Sequence, residues 1–130
     1  MRILVAEDNP ICSCLTVHLV RKHGYYVRAV LNGAAALSAL EREEFDLVLM
    51  DIRMPQMDGL AATRAIRAQE QKTGKHLPIV AVTAHTSTED RERCLAGGMD
   101  DYIIKPLRNC DFVAIVEKLC AAPANLPQFA

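Results

Sequence analysis

Short apolar runs alternate with segments of helical period along the chain, and no other feature restricts the fold as strongly. The apolar runs stand at residues 3–6, 25–30, 45–50, 79–82 and 102–104. After the first, Asn9-Pro10 reads as N-cap and first helical residue, because proline suits a position whose N–H has no intrahelical acceptor. Ile11, Leu15 and Leu19 follow at i, i+4 and i+8, up to Gly24. Asn32-Gly33 opens a second helix with Ala36, Leu37 and Leu40 on one face. Asp58 reads as the cap of a third, with Leu60, Thr63 and Ile66 inward and an end near Gln71. Ser87 and Asp90 offer a capping box to a fourth helix, which Gly97-Gly98 ends. Asn109 reads as the cap of a fifth, with Phe112, Val116 and Leu119 inward. A strand followed each time by a helix implies parallel strands, right-handed crossovers and helices on both faces of a doubly wound α/β sheet. Residues 122–130 carry two prolines and no period, so one domain is expected at 1–121, with a tail or linker after it.

In such sheets ligands bind beyond the carboxyl ends of the strands, where strand order reverses. Glu7, Asp8, Asp51, Thr83 and Lys105 all fall at or just past those ends. Asp51 closes a continuous apolar run, and a carboxylate there is costly unless it has a partner or a task. With Glu7 and Asp8 beside it, three carboxylates meet, and their repulsion calls for a cation. Hard oxygen ligands that leave room for water suit Mg2+. Asp51 is then placed to attack phosphorus and form an acyl phosphate, with Glu7 and Asp8 as metal carboxylates, one of them acting through water. Lys105 can reach a phosphoryl oxygen as a point charge, and the Thr83 hydroxyl can donate to one. Pro106 is a candidate for a cis bond that shapes the turn after Lys105. Thr83 as a plain strand residue and Tyr102 as an ordinary half-buried aromatic are the bland alternatives.

Composition narrows the partners. A net charge of −1 over 130 residues offers no basic footprint for nucleic acid, and the absence of tryptophan removes a stacking platform. No apolar run is long enough to span a bilayer and no secretory signal opens the chain, so a cytoplasmic domain without membrane contact is expected. The five cysteines (Cys12, Cys14, Cys94, Cys110 and Cys120) have no metal-binding spacing and read as reduced thiols.

At Leu4-Val5-Ala6-Glu7-Asp8-Asn9, at Leu47-Val48-Leu49-Met50-Asp51-Ile52-Arg53-Met54-Pro55-Gln56-Met57-Asp58-Gly59, at Pro78-Ile79-Val80-Ala81-Val82-Thr83-Ala84 and at Asp101-Tyr102-Ile103-Ile104-Lys105-Pro106, the chain resembles the receiver domain of two-component response regulators. The resemblance implies a flavodoxin-like sheet of five parallel strands in the order 2-1-3-4-5. It implies that Asp51 takes a phosphoryl group from a phosphohistidine on a histidine kinase or histidine phosphotransfer domain. Mg2+ would be bound by Asp8, Asp51 and the backbone carbonyl of Arg53, with Glu7 acting through water. Thr83 and Tyr102 would be a switch pair, and the fourth helix, fifth strand and fifth helix the signalling face. Residues 69–76, read as a long loop, and Thr83-Ala84-His85 look like receivers of hybrid sensor histidine kinases.

The expected molecule is therefore a phosphoacceptor domain, monomeric or weakly dimeric, that takes phosphoryl groups from small donors and loses them by itself. A stand-alone single-domain regulator is the alternative. An aspartate-nucleophile phosphatase is a further rival. Such enzymes place a general acid two residues after the nucleophile, where this chain has Arg53. A flavin or nucleotide module lacks its Gly-rich loop after the first strand. A pseudo-receiver is disfavoured by the complete set of acids, Thr83 and Lys105.

Overall fold

The computed structural model describes residues 1–52, 57, 59–83, 88–105 and 107–121. Strands β1 (Arg2–Ala6), β2 (Tyr26–Val30), β3 (Leu47–Met50), β4 (Ile79–Thr83) and β5 (Asp101–Ile104) alternate with helices α1 (Pro10–Lys22), α2 (Gly33–Arg42), α3 (Gly59–Thr73), α4 (Thr88–Ala96) and α5 (Asn109–Ile115). The strands form one parallel sheet in the order β2-β1-β3-β4-β5. Period-2 alternation divides the core in two. Leu4, Ala6, Val48, Met50, Ile79 and Ala81 pack with residues of α2, α3 and α4. Ile3, Val5, Leu47, Leu49, Val80 and Val82 pack with Val20 of α1 and with Phe112 and Ile115 of α5. Sheet topology and helix order are those expected.

Local chemistry starts the helices. The Asn9 side chain accepts from the N–H groups of Ile11 and Cys12, with Pro10 at the first helical position. The Asn32 side chain accepts from Ala35 N–H. Gly24 and Gly98, at φ 84° and 108°, carry the left-handed turns after α1 and α4.

Several expectations are corrected. Ile11 and Leu15 are 70% and 62% exposed, and the core face of α1 is carried by Val17 and Val20, with Leu19 partly buried. At about 100° per residue, Ile11 and Leu15 lie across the helix from Val17 and Val20. The helix thus has two apolar stripes, and the sheet took the β-branched one. Asn109 does not cap α5. Arg108 stands at the N-cap, its N–H donating to Asp111, while the Asn109 amide oxygen pairs with His23 Nε2 at 2.7 Å. His23 also lies against Phe112, ring centroids 5.0 Å apart. The helical chain after α5 continues as a π-helix, Val116–Ala121.

The segment expected as a loop at 69–76 is helical to Thr73. Its position is held by Arg67, which donates to the Gly98 and Leu77 carbonyls and pairs with Glu70 and Asp100. Phe45 and Asp46 lie just before β3 rather than in it, and Asp101 opens β5. The proposed caps Asp58 and Ser87, with the Asp90 side chain, and the tail at 122–130 fall outside the described residues.

Candidate phosphoacceptor site

The chain leaves β1 for β2 on one side and reaches β3 on the other, so the switch point lies between β1 and β3. Ala6 and Met50, the last residues of these strands, are in register, and Asp51 N–H extends the ladder by donating to the Ala6 carbonyl at 3.0 Å. Backbone pairing alone therefore brings Glu7 and Asp8 beside Asp51. Ligand oxygens of Glu7, Asp8 and Asp51 all lie within 4.8 Å of one another. Glu7 and Asp51 are buried, whereas Asp8 is exposed and opens the cluster to solvent.

On the other flank, Lys105 N–H donates to the Thr83 carbonyl at 2.7 Å, which carries the β4–β5 pairing one step past its end. The side chain turns back across the strand ends. Lys105 Nζ stands 2.5 Å from Glu7 Oε1 and 3.0 Å from Asp51 Oδ2. Glu7 Oε2 accepts from Asn9 N–H at 3.1 Å. Burial raises the Glu7 carboxyl above its usual value, against the opposing pull of Lys105. Burial acts downward on the Lys105 ammonium, and Glu7 and Asp51 outweigh it, so that group too is held above its ordinary value.

Thr83 is buried at the end of β4, on the same face of the sheet as Ala81. Register pairs Tyr102 with Ala81, so Tyr102 shares that face with Thr83, two residues back along the neighbouring strand. The structure thus assembles Glu7, Asp8, Asp51 and Lys105 directly, while Thr83 and Tyr102 share one face of β4 and β5. Arg53, Pro106, Ala84 and His85 lie outside the described residues.

One contributor carried only a weak sequence signal. A Cβ on Gly59 would stand 2.2 Å from the Asp51 carbonyl oxygen, and Gly59 N–H donates to the Ile52 carbonyl at 2.9 Å. The chain after Asp51 returns to touch Asp51's own backbone, and only glycine permits that approach.

Three convergent carboxylates, one open to water, suit a small hard cation that keeps part of its hydration shell, so the residues present fit Mg2+. The buried Glu7 charge has a measurable consequence. Glu7→Gln is expected to match or exceed wild-type thermal stability at neutral pH without Mg2+, while weakening the metal's binding. The folded-state carboxyl is raised, so in wild type stability is lost as pH rises from the unfolded value through the folded one. The glutamine variant escapes that loss, and its advantage opens with rising pH. Melting curves across acidic to neutral pH read it. A variant less stable at neutral pH would show that the Lys105 pairing outweighs burial.

Comparison with known proteins accords with this geometry. The family model of the response regulator receiver domain matches residues 3–117, and the chain belongs to that family. It is 45% identical over 118 residues to the sensor histidine kinase GacS of Pseudomonas protegens, covering 90% of this chain and 13% of that protein. The chain thus spans about an eighth of the length of this relative. Among solved structures it is similar to the receiver domain of sensor histidine kinase PA1611 from Pseudomonas aeruginosa, which holds a magnesium ion in its active site cleft. The TM-score is 0.84 at 40% identity, covering 93% of this chain and 98% of that one. It is also similar to the yeast Ssk1 receiver, from Saccharomyces cerevisiae, solved with the histidine phosphotransfer protein Ypd1. There the TM-score is 0.84 at 28% identity, covering 93% and 90%. Among the described residues no helix is long and apolar enough to cross a membrane.

Proposed function

We propose that residues 1–121 are the receiver of a hybrid sensor histidine kinase and that Asp51 accepts the phosphoryl group. The observation that carries this reading is the cluster of Glu7, Asp8 and Asp51 with Lys105 Nζ 3.0 Å from the Asp51 carboxylate. An Asp51 oxygen attacks phosphorus, the P–N bond of the donor phosphohistidine breaks, and the imidazole leaves with the bonding pair. Asp8, Asp51 and the Arg53 carbonyl would hold Mg2+, with Glu7 acting through water, and the metal would supply positive charge to the phosphoryl oxygens. Lys105 supplies a second cation to the same oxygens. The new group brings about −2 charge, draws the Thr83 hydroxyl and makes room for Tyr102, so the face around α4, β5 and α5 changes.

The 45% identity to a sensor histidine kinase and the 41% identity to hybrid signal transduction histidine kinase I support that origin. The exposed Ile11 and Leu15, one turn apart on α1, offer an apolar seat to a phosphotransfer domain. Cytoplasmic placement and spontaneous loss of the phosphoryl group belong to the same reading.

Intact mass after incubation with acetyl phosphate tests it. One phosphoryl group should be gained with Mg2+ and none after chelation. An adduct indifferent to Mg2+ counts against it, as does the absence of both adduct and released phosphate.

A further inference from the structure

We infer that Gly33, the first residue of α2, is a positioning residue for Asp51 that acts through Met57 and Gly59, an inference resting on the Mg2+-dependent acceptor reading above. A helix start leaves its first N–H groups without intrahelical acceptors. In α2, the Asn32 side chain accepts from Ala35 N–H at 2.8 Å. Gly33 N–H leaves the helix and donates to the Met57 carbonyl at 2.9 Å. The approach is close. A Cβ on Gly33 would stand 2.6 Å from that carbonyl oxygen, 2.9 Å from Met57 Cγ and 3.0 Å from Ala62 Cβ. The Met57 side chain can turn away. The oxygen is backbone, and Ala62 is fully buried on α3, so neither yields easily.

Met57 stands two residues before Gly59, which closes on the acceptor's own backbone, its Cα against the Asp51 carbonyl and its N–H donating to Ile52. A push on Met57 is therefore passed through Gly59 to the backbone of Asp51 and Ile52. Gly33 is helical, so alanine there meets no backbone strain and has the better helix propensity. Whatever Gly33→Ala does to Asp51 comes through the contact.

The test compares wild type, Gly33→Ala and Ala39→Gly. The last weakens α2 on its core side, six residues on from Gly33. Calorimetric titration of unphosphorylated protein with Mg2+ gives affinity, and amide chemical shifts of Asp51 and Ile52 in metal-free protein report position. Gly33→Ala is expected to weaken Mg2+ binding ~10-fold, the scale of lost outer-shell support, and to shift both amides, with Ala39→Gly leaving both readouts near wild type. Equal effects in the two variants, or unmoved amides in Gly33→Ala, would overturn the inference. A wild type that binds no Mg2+ would instead defeat the metal reading, and the metal-free amide shifts would still decide whether Gly33 positions Asp51.

Discussion

Asp51→Asn leaves the chain folded and unable to gain a phosphoryl group from acetyl phosphate at any Mg2+ concentration. The amide preserves the shape of the side chain and removes the charged oxygen that attacks phosphorus. Stability should not suffer. The substitution takes one negative charge out of a cluster in which three carboxylates lie within 4.8 Å, and Lys105 keeps Glu7 as its partner. The melting temperature without Mg2+ is therefore expected to equal or exceed that of wild type, and Mg2+ to raise it less, because one ligand has lost its charge. Intact mass and melting curves of the same samples check both halves. A variant that still gains one phosphoryl group would place the acceptor on another side chain.

Lys105→Ala has the opposite signature: a lower melting temperature without metal, restored in part by Mg2+. Lys105 is the cation that Glu7 and Asp51 share, at 2.5 and 3.0 Å, and both acids are buried. Removing one partner of a buried pair leaves uncompensated charge, at a cost of about 3 kcal/mol. A divalent cation held by the same carboxylates supplies the missing charge. The deficit also depends on pH. The Lys105 ammonium is raised in the fold, so its contribution is present at neutral pH and disappears in strong alkali as the proton leaves. In acid the deficit shrinks because Glu7, itself raised by burial, becomes neutral and needs no counter-charge. Phosphorylation should slow ~10²-fold, the scale of losing one preorganised donor to the developing charge. Melting curves with and without Mg2+, and initial rates from intact mass, test these points. An unchanged metal-free melting temperature would show that the lysine does not hold the acids together.

The loss of stability in Lys105→Ala is opposite to the outcome for Glu7→Gln for one reason. Burial works against Glu7, so replacing its charge relieves the fold, whereas deleting Lys105 strands two acids.

The sequence by itself determined the alternation of strand and helix, and with it the sheet, because apolar period and cap residues such as Asn9 and Asn32 act over a few residues. It also placed Glu7, Asp8, Asp51, Thr83 and Lys105 at strand ends, since a polar residue closing an apolar run is visible in one dimension. Contacts between distant segments were decided only in three dimensions. Two stripes of α1 had equal apolar claims, and packing on the sheet chose Val17 and Val20 over Ile11 and Leu15. Asn109 had the chemistry of a cap, but His23, 86 residues away, took its side chain. Lys105 became the bridge between Glu7 and Asp51 because β1, β3 and β5 end at one edge, although Lys105 and Asp51 are 54 positions apart in the chain. Gly33 and Gly59 look in sequence like helix-start glycines. Their approach to the Met57 and Asp51 carbonyls exists only once α2 and α3 are packed on the same face of the sheet, where the absence of a Cβ becomes a contact distance.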